Sequence, residues 1–508
     1  MSPFDLAALV RTELAAELGD GVLATDPDVV GSYSTDQALF CPGDGAVALV
    51  RARTVADVQA TLRFATQHRV PVVPQGARTG LSGGANAVPG CLLLSLERMD
   101  RVLEIDAAER TVTVEPGIIN QDLKDALATH GLSYPPDPGS VAISSIGGNV
   151  ATNAGGLCCV RYGVTRDYVR QLRVVLADGT LATFGTTTAK GVAGLDLRGL
   201  LIGSEGTLGV VVEVTLRLVP TLPEPLTAVA TFADIRSAAA TVADLMASGA
   251  QPSLVESMDR ATLQILAECG YGDVGTGAGA MLLVQSDGGG SLEAAQAEVE
   301  ALGRFAQAHG ALDVAVSDDP DDSAALIAMR RMAQPSFERW AQAHGGGQLL
   351  DDVCLPRTRL PDFYDRLDAI REESGLTIAV VAHAGDGNTH PSVFFDTSDP
   401  DSIARADAAF DAIMELGLEL GGTITGEHGV GYLKRRWLAR ELDDGTRQAH
   451  LAVKAALDPL GILNPARCSP TSDRARGRPR GPLRARHTPR GCIAVGQCSL
   501  EGDVGGGT

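Results

Sequence analysis

Aromatic side chains are scarce in this sequence, at 4% of 508 residues, and positive charge is in deficit, with a formal net charge of −21. Both features argue against nucleic-acid recognition, which relies on stacking platforms and basic grooves. They leave room for a small anionic substrate, because a local cationic pocket can sit within an acidic surface. The nine cysteines show no C-x-x-C spacing, which argues against a zinc ribbon, an iron–sulfur site or a disulfide framework. The adjacent Cys158 and Cys159 read as reduced thiols. No apolar run approaches the length of a bilayer span. The N-terminal "MSPFDLAALVRTELAAELGD" lacks the basic and apolar regions of a signal peptide. A soluble cytoplasmic protein with no transmembrane segment is expected, with peripheral membrane association as a variant.

The chain exceeds what one hydrophobic core usually supports, so two or three domains are expected. "AVALVRA" (46–52), "VPVVP", "CLLLSL" and "TVTVEP" read as strands. "TVADVQATLRFATQH" reads as a helix capped by Thr54, with Val55, Val58 and Leu62 on one face. "RQLRVVLADGTLATF" predicts a hairpin turning at Asp178-Gly179. "PTLPEP" (220–225) marks a boundary by its prolines. Beyond it, short strands alternate with amphipathic helices, a pattern that suits split β-α-β units on an antiparallel sheet. From Arg467 onward eight arginines face three acids without periodicity, so 467–508 reads as a disordered tail, a basic interaction tail or a frame-shifted extension.

What the chain has in excess is glycine, 59 residues. "PVVPQGARTGLSGGANAVPG" (71–90) sets glycines between strand-like segments, where successive N–H groups can curl around an anion. It is neither a G-x-G-x-x-G nor a Walker A sequence. "PDPGSVAISSIGGNVATNAGG" (136–156) is too polar for a buried strand and too long for a simple connection. "GSEGTLG" (203–209) is a third such loop. Together they suit an extended diphosphate-bearing cofactor.

"AHAGDGNTH" places His383 and His390 on either side of a Gly-Asp-Gly turn, and "TGEHGVG" offers Glu427 and His428 between glycines. Imidazole and carboxylate are the donors a divalent transition metal prefers. A plain hairpin with two solvated histidines, and a surface Glu-His pair, are the alternatives. In a regular strand adjacent side chains diverge, so Glu427 and His428 are expected to face different objects. Asp386 and Asn388 read as turn formers.

"PVVPQGARTGLSGG", "SIGGNVATNAGG", "RYGVTRDYV" and "IGSEGTLGVVVEVTLRLVP", with "HAGDGNTH" and "GEHGVG", resemble the FAD-linked D-2-hydroxyacid dehydrogenases of the vanillyl-alcohol oxidase/p-cresol methylhydroxylase superfamily over roughly residues 20–466. The resemblance implies an α+β fold. A two-subdomain FAD-binding domain of the p-cresol methylhydroxylase type (20–220) would be followed by a ferredoxin-like split β-α-β substrate or cap domain (221–420). Residues 421–466 would complete the active site. It places the FAD pyrophosphate on Gly76, Ala77, Arg78, Thr79 and Gly80, with Ser144, Ser145, Gly148, Asn149, Gly155 and Gly156 along the cofactor. Glu205 and Gly206 would lie beside its diphosphate, ribose or adenine, and Asn464 near the ring. The family's loop often reads Arg-Gly-Gly after the proline. Here it reads Gln75-Gly76-Ala77-Arg78, which leaves side-chain roles there open. No histidine lies in the first two loops, so FAD is expected to be non-covalent.

The same resemblance assigns His383, His390 and Glu427 to a divalent metal (Zn, Mn or Fe), His428 to the base, and Arg330 of "IAMRRMAQPSFERW" to the substrate carboxylate. The reaction implied is oxidation of a D-2-hydroxyacid to the 2-oxoacid by hydride transfer to flavin N5. Electrons would pass to an external quinone, cytochrome or electron-transfer flavoprotein. The dicarboxylate-specific relatives carry a lysine where this chain reads "GGQLLDDVCLP", which favours D-lactate or glycolate over 2-hydroxyglutarate. A homo-oligomer or a place in a multi-subunit oxidase is also implied. The alternatives are the flavin subunit of a glycolate oxidase inactive alone, a D-2-hydroxyglutarate dehydrogenase, and an ether-lipid-forming FAD transferase.

Overall fold

The computed structural model describes residues 3–271, 277–317, 319–465 and 467. Most of the segment read as a tail therefore lies outside the described residues. Its first residue, Arg467, is buried and donates from Nη2 to the Asn86 carbonyl at 3.0 Å.

Two sheets build the first half. One has the order Leu23–Ala24, Ala48–Arg51, Leu92–Ser95, Val72–Gln75, and its last three strands run parallel. Parallel strands need a crossover, which the helix Val55–His68 supplies. Thr54 caps that helix as expected: its hydroxyl accepts from Asp57 N, while the Asp57 carboxylate accepts from Thr54 N. Val58, Leu62 and Ala65 then bury against Val72, Leu92 and Leu94. The second sheet is antiparallel, in the order Val102–Asp106, Thr111–Val114, Val210–Arg217, Val169–Val175, Leu181–Gly185. Its last two strands are the hairpin that Asp178-Gly179 closes.

The second half is an eight-stranded antiparallel sheet. Its order is Asp313–Ser317, Leu226–Phe232, Ala280–Ser286, Leu254–Asp259, Ile378–His383, Asn388–Asp396, Gly346–Leu350, with Val353–Cys354 also on Asn388–Asp396. The first four strands, with helices Ile235–Ala247 and Leu292–Ala308, form one β-α-β-β-α-β unit in spatial order 4-1-3-2. The rest repeats the plan with helices Leu360–Ser374 and Pro400–Glu419, and one bridge, Thr423 to Cys354, stands for its last strand. The expected split unit is thus present twice. The two copies meet edge to edge where Leu254–Asp259 pairs with Ile378–His383, with Glu256 opposite His383.

The chain then returns to the first half. The helix Asp444–Leu457 lays Val453 and Leu457 on the core of the five-stranded sheet, and Leu463 bridges Val72. No helix among the described residues is long and apolar enough to cross a membrane.

The glycine-dense stretch 136–156 is not all loop. It folds into the helix Ile146–Thr152, capped by Ser145, and then bends back sharply at Gly156. Gly156 has φ +135, and a Cβ there would lie 2.3 Å from the Asp137 carbonyl oxygen. Gly156→Ala should therefore cost more than about 1 kcal/mol. Gly139→Ala, whose Cβ would meet nothing within 4 Å, should leave the melting temperature unchanged. Thermal melts of the two variants check this.

Candidate active site

The hairpin pairs His383 with Asn388 and Val381 with His390. Side chains alternate along a strand, so His390, opposite Val381, shares a face with His383 as its diagonal neighbour. Both histidines are buried, with ring centroids 5.0 Å apart. Glu427 enters from outside the sheet and sets Oε1 3.1 Å from Nε2 of each ring. These three donors lie within 4.8 Å of one another.

Glu427 and His428 were expected to diverge as strand neighbours. The segment after Thr423 is irregular rather than a strand, and Glu427 turns to the His383–His390 pair while His428 turns to Asp352 and His390. Asp352 causes this. Its Oδ2 accepts from Thr425 Oγ1 (2.6 Å), Glu427 N (3.1 Å) and His428 N (2.9 Å). Beyond it, Glu205 accepts from Val430 N (2.7 Å) and Gly431 N (2.9 Å). His428 stacks on His390 at 4.8 Å between centroids, with 15° between ring planes.

Burial and neighbouring charge oppose one another throughout the cluster. Burial alone would lower the pKa of His383, but the carboxylates of Glu256 and Glu427 hold it well above its usual range. Burial alone would raise Glu427, yet His383 and His390 hold it well below. Asp352 is likewise held down by Lys434, His428 and His390 against its burial. Burial takes His428 down to about 4, against the pull of Asp352, so its imidazole is neutral near pH 7. The His383 Nδ1 faces Glu256 Oε1 at 2.7 Å. The protonated ring thus donates Nδ1–H to Glu256 and Nε2–H to Glu427 at 3.1 Å, and giving up the Nε2 proton would turn that lone pair toward the same point. Two imidazole nitrogens and a carboxylate whose ligand atoms lie within 4.8 Å of one another are a donor set that fits a divalent ion.

Arg330 is buried near the C-terminal end of the helix Pro320–Arg331, with Nη2 2.6 Å from Glu256 Oε2. Its Nε–H is buried without a hydrogen-bond partner. The guanidinium expected to face substrate thus has one edge on a carboxylate that the sequence reading did not single out.

The three glycine loops converge. Ala77 N and Gly148 N both donate to Ser145 Oγ at 3.3 Å, and a Cβ on Gly76 would lie 2.4 Å from that oxygen. Arg78, at φ +58, turns its side chain away, over the Tyr33 ring and onto the Ser32 carbonyl. Thr79 is half-buried, and the Gly80 carbonyl accepts from Gln37 N. Asn149 donates to Ser144 Oγ, and Gly206 lies against Pro74. Asn464 ties the first loop to the third by donating to the Gly84 and Glu205 carbonyls. Glu205 uses both carboxylate oxygens on the 430–431 backbone. Gln75 Oε1, Asn149 Oδ1 and Asn464 Oδ1 are buried acceptors without partners, which fits a ligand bearing N–H and hydroxyl donors, as FAD does. The second loop also reaches the histidine cluster: a Cβ on Gly155 would lie 2.6 Å from Glu427 Oε2.

Sequence reasoning missed Glu256, Asp352 and Lys434. A signal existed for the acids: "LVES" sets one carboxylate within an apolar strand and "LLDDVCLP" sets two between apolar strands, where an unpaired charge would be costly.

Residues 46–185 match the family described as FAD binding domain, and residues 223–468 match that of the FAD linked oxidases, C-terminal domain. The glycolate oxidase subunit GlcD of Bacillus subtilis (strain 168) is 38% identical over 422 residues, covering 83% of this chain and 88% of that one. The D-lactate dehydrogenase of Anaerostipes hadrus is 34% identical over 428 residues, covering 82% and 88%. Among solved structures, p-cresol methylhydroxylase with substrate bound superposes with TM-score 0.75 at 19% identity, over 92% of this chain and 96% of that one.

Asp36, beside the first loop, accepts from Ala38 N and Ala85 N, and burial still pushes its carboxyl up from 3.8 to about 6. The folded chain therefore binds more protons there than the unfolded chain between those values. The Asp36 contribution is fully present below about pH 4 and is lost as pH rises through 6. Asp36→Asn should gain stability over wild type across that interval, by up to about 3 kcal/mol. Denaturant unfolding of both proteins at pH 4 and pH 7.5 measures it.

Proposed function

The chain belongs to the FAD-linked oxidases, and from that premise we propose that it oxidises a D-2-hydroxyacid of the D-lactate or glycolate class to the 2-oxoacid. The observation that carries this is the contact of Gly155 with Glu427, which joins the flavin-type loops to the histidine cluster. One small substrate can touch both.

Gly76 to Gly80, Ser145, Gly148 and Asn149 would hold FAD, which supplies a two-electron acceptor for the C2 hydride. His383, His390 and Glu427 would hold a divalent ion, which supplies Lewis acidity toward a hydroxyl and a carboxylate. His428, neutral at working pH, takes the hydroxyl proton as general base while C2 loses its hydride. Asp352 fixes the 427–428 backbone, and Glu205 the turn after it, so base and carboxylate stay on one side of the substrate.

Gln348 occupies the strand where dicarboxylate-specific relatives are expected to carry a lysine, and it bonds Ser392 and Gln334. That supports a monocarboxylate. An external quinone, cytochrome or electron-transfer flavoprotein reoxidises the cofactor. A second reading, a flavin subunit that needs partners, is favoured by the relative's name as an oxidase subunit. Dye-linked turnover by the isolated chain distinguishes the two.

Anaerobic mixing with D-lactate or glycolate should bleach the flavin, while L-lactate and D-2-hydroxyglutarate should do so at least tenfold more slowly. His428→Asn should keep its flavin and lose 10²- to 10⁴-fold in bleaching rate. Bleaching by no D-2-hydroxyacid would defeat the proposal.

A further inference from the structure

We infer that Glu256 and Arg330 are a positioning pair for His383, fixing the ring so that Nε2 points at the site shared with His390 and Glu427. The inference rests on reading those three residues as a metal set. Glu256 sits in the central strand Leu254–Asp259, fully buried, directly opposite His383 in register. A carboxylate in that position is strongly unfavourable unless both oxygens are engaged. One oxygen hydrogen-bonds His383 Nδ1 at 2.7 Å; the other is ion-paired with Arg330 Nη2 at 2.6 Å without hydrogen-bond alignment. The carboxylate fixes the tautomer, and the arginine fixes the carboxylate.

The second histidine makes the contrast. His390 Nδ1 stands 3.7 Å from Asp352 Oδ1, and both atoms are buried without a hydrogen-bond partner. Of the two imidazoles, His383 is the one gripped, and the grip comes from the seam where the two half-sheets join. Partners of this kind contribute to metal affinity without touching the ion. Arg330 acts on His383 through Glu256 with one edge of its guanidinium, while its Nε–H stays buried without a hydrogen-bond partner.

The test uses purified flavin-loaded protein, stripped of metal by chelation and titrated with Zn²⁺ or Mn²⁺ against a chromophoric chelator. Visible spectra with Co²⁺ report the ligand geometry. Glu256→Gln should keep its flavin, weaken metal binding 10- to 100-fold and alter the Co²⁺ bands, with Arg330→Lys in between. The double variant Glu256→Gln/Arg330→Met removes both buried charges, so it guards against misfolding of the single variants and should still bind metal weakly. Wild-type metal affinity in Glu256→Gln and in the double variant would overturn the inference. So would an Arg330→Lys protein whose KM rises while its metal affinity does not change. A wild-type chain that binds no divalent ion at all would instead overturn the metal reading beneath it.

Discussion

Glu427 Oε1 lies 3.1 Å from a nitrogen of each of two buried imidazoles, and the centre of the molecule is organised around that convergence. Burying two imidazoles against one carboxylate is tolerated because a nitrogen of each ring is paired with an oxygen at hydrogen-bond distance. The surroundings alternate in sign outward from this point. Arg330 meets Glu256, Glu256 meets His383, His383 and His390 flank Glu427, and Lys434 holds Asp352 beside His390. Each carboxylate of the series lies beside a cation or an imidazole, which is how so many titratable groups share one core.

The fold exists to bring these groups together from distant parts of the chain. Glu256 comes from one split unit and the two histidines from the other, and they meet only because the units join at matching edges. Glu427 and His428 come from the returning segment, pinned by Asp352 on one side and by Glu205 of the third glycine loop on the other. That last pair of hydrogen bonds makes the flavin-type half part of the cluster's scaffold. Asn464 closes the same circuit, since its amide spans the first and third loops.

Local signals in the sequence carried local structure well. Thr54 caps its helix, Asp178-Gly179 turns its hairpin, and the His383–His390 stretch is a strand, a turn and a strand, because each depends on a few neighbouring residues. The strand bearing Glu256 escaped notice because a buried acid breaks the apolar run that marks a central strand. The helix Ile146–Thr152 escaped because glycine and asparagine dominate it, and its stability comes from the Ser145 cap and its packing. The turning of Glu427 to the His383–His390 pair and of His428 to Asp352 and His390 could not be read locally, since Asp352, some 75 positions away, dictates it. The placement of Arg330 against Glu256 is long-range in the same way.

The flavin loops and the histidine cluster are proposed to act on one substrate. Anaerobic stopped-flow reduction of the flavin with C2-deuterated D-lactate, before and after chelation and after metal is restored, decides this. Reduction should slow with deuterium, be lost on chelation with the flavin still bound, and recover on adding Zn²⁺ or Mn²⁺. Flavin reduction at an undiminished rate in the chelated protein would contradict it.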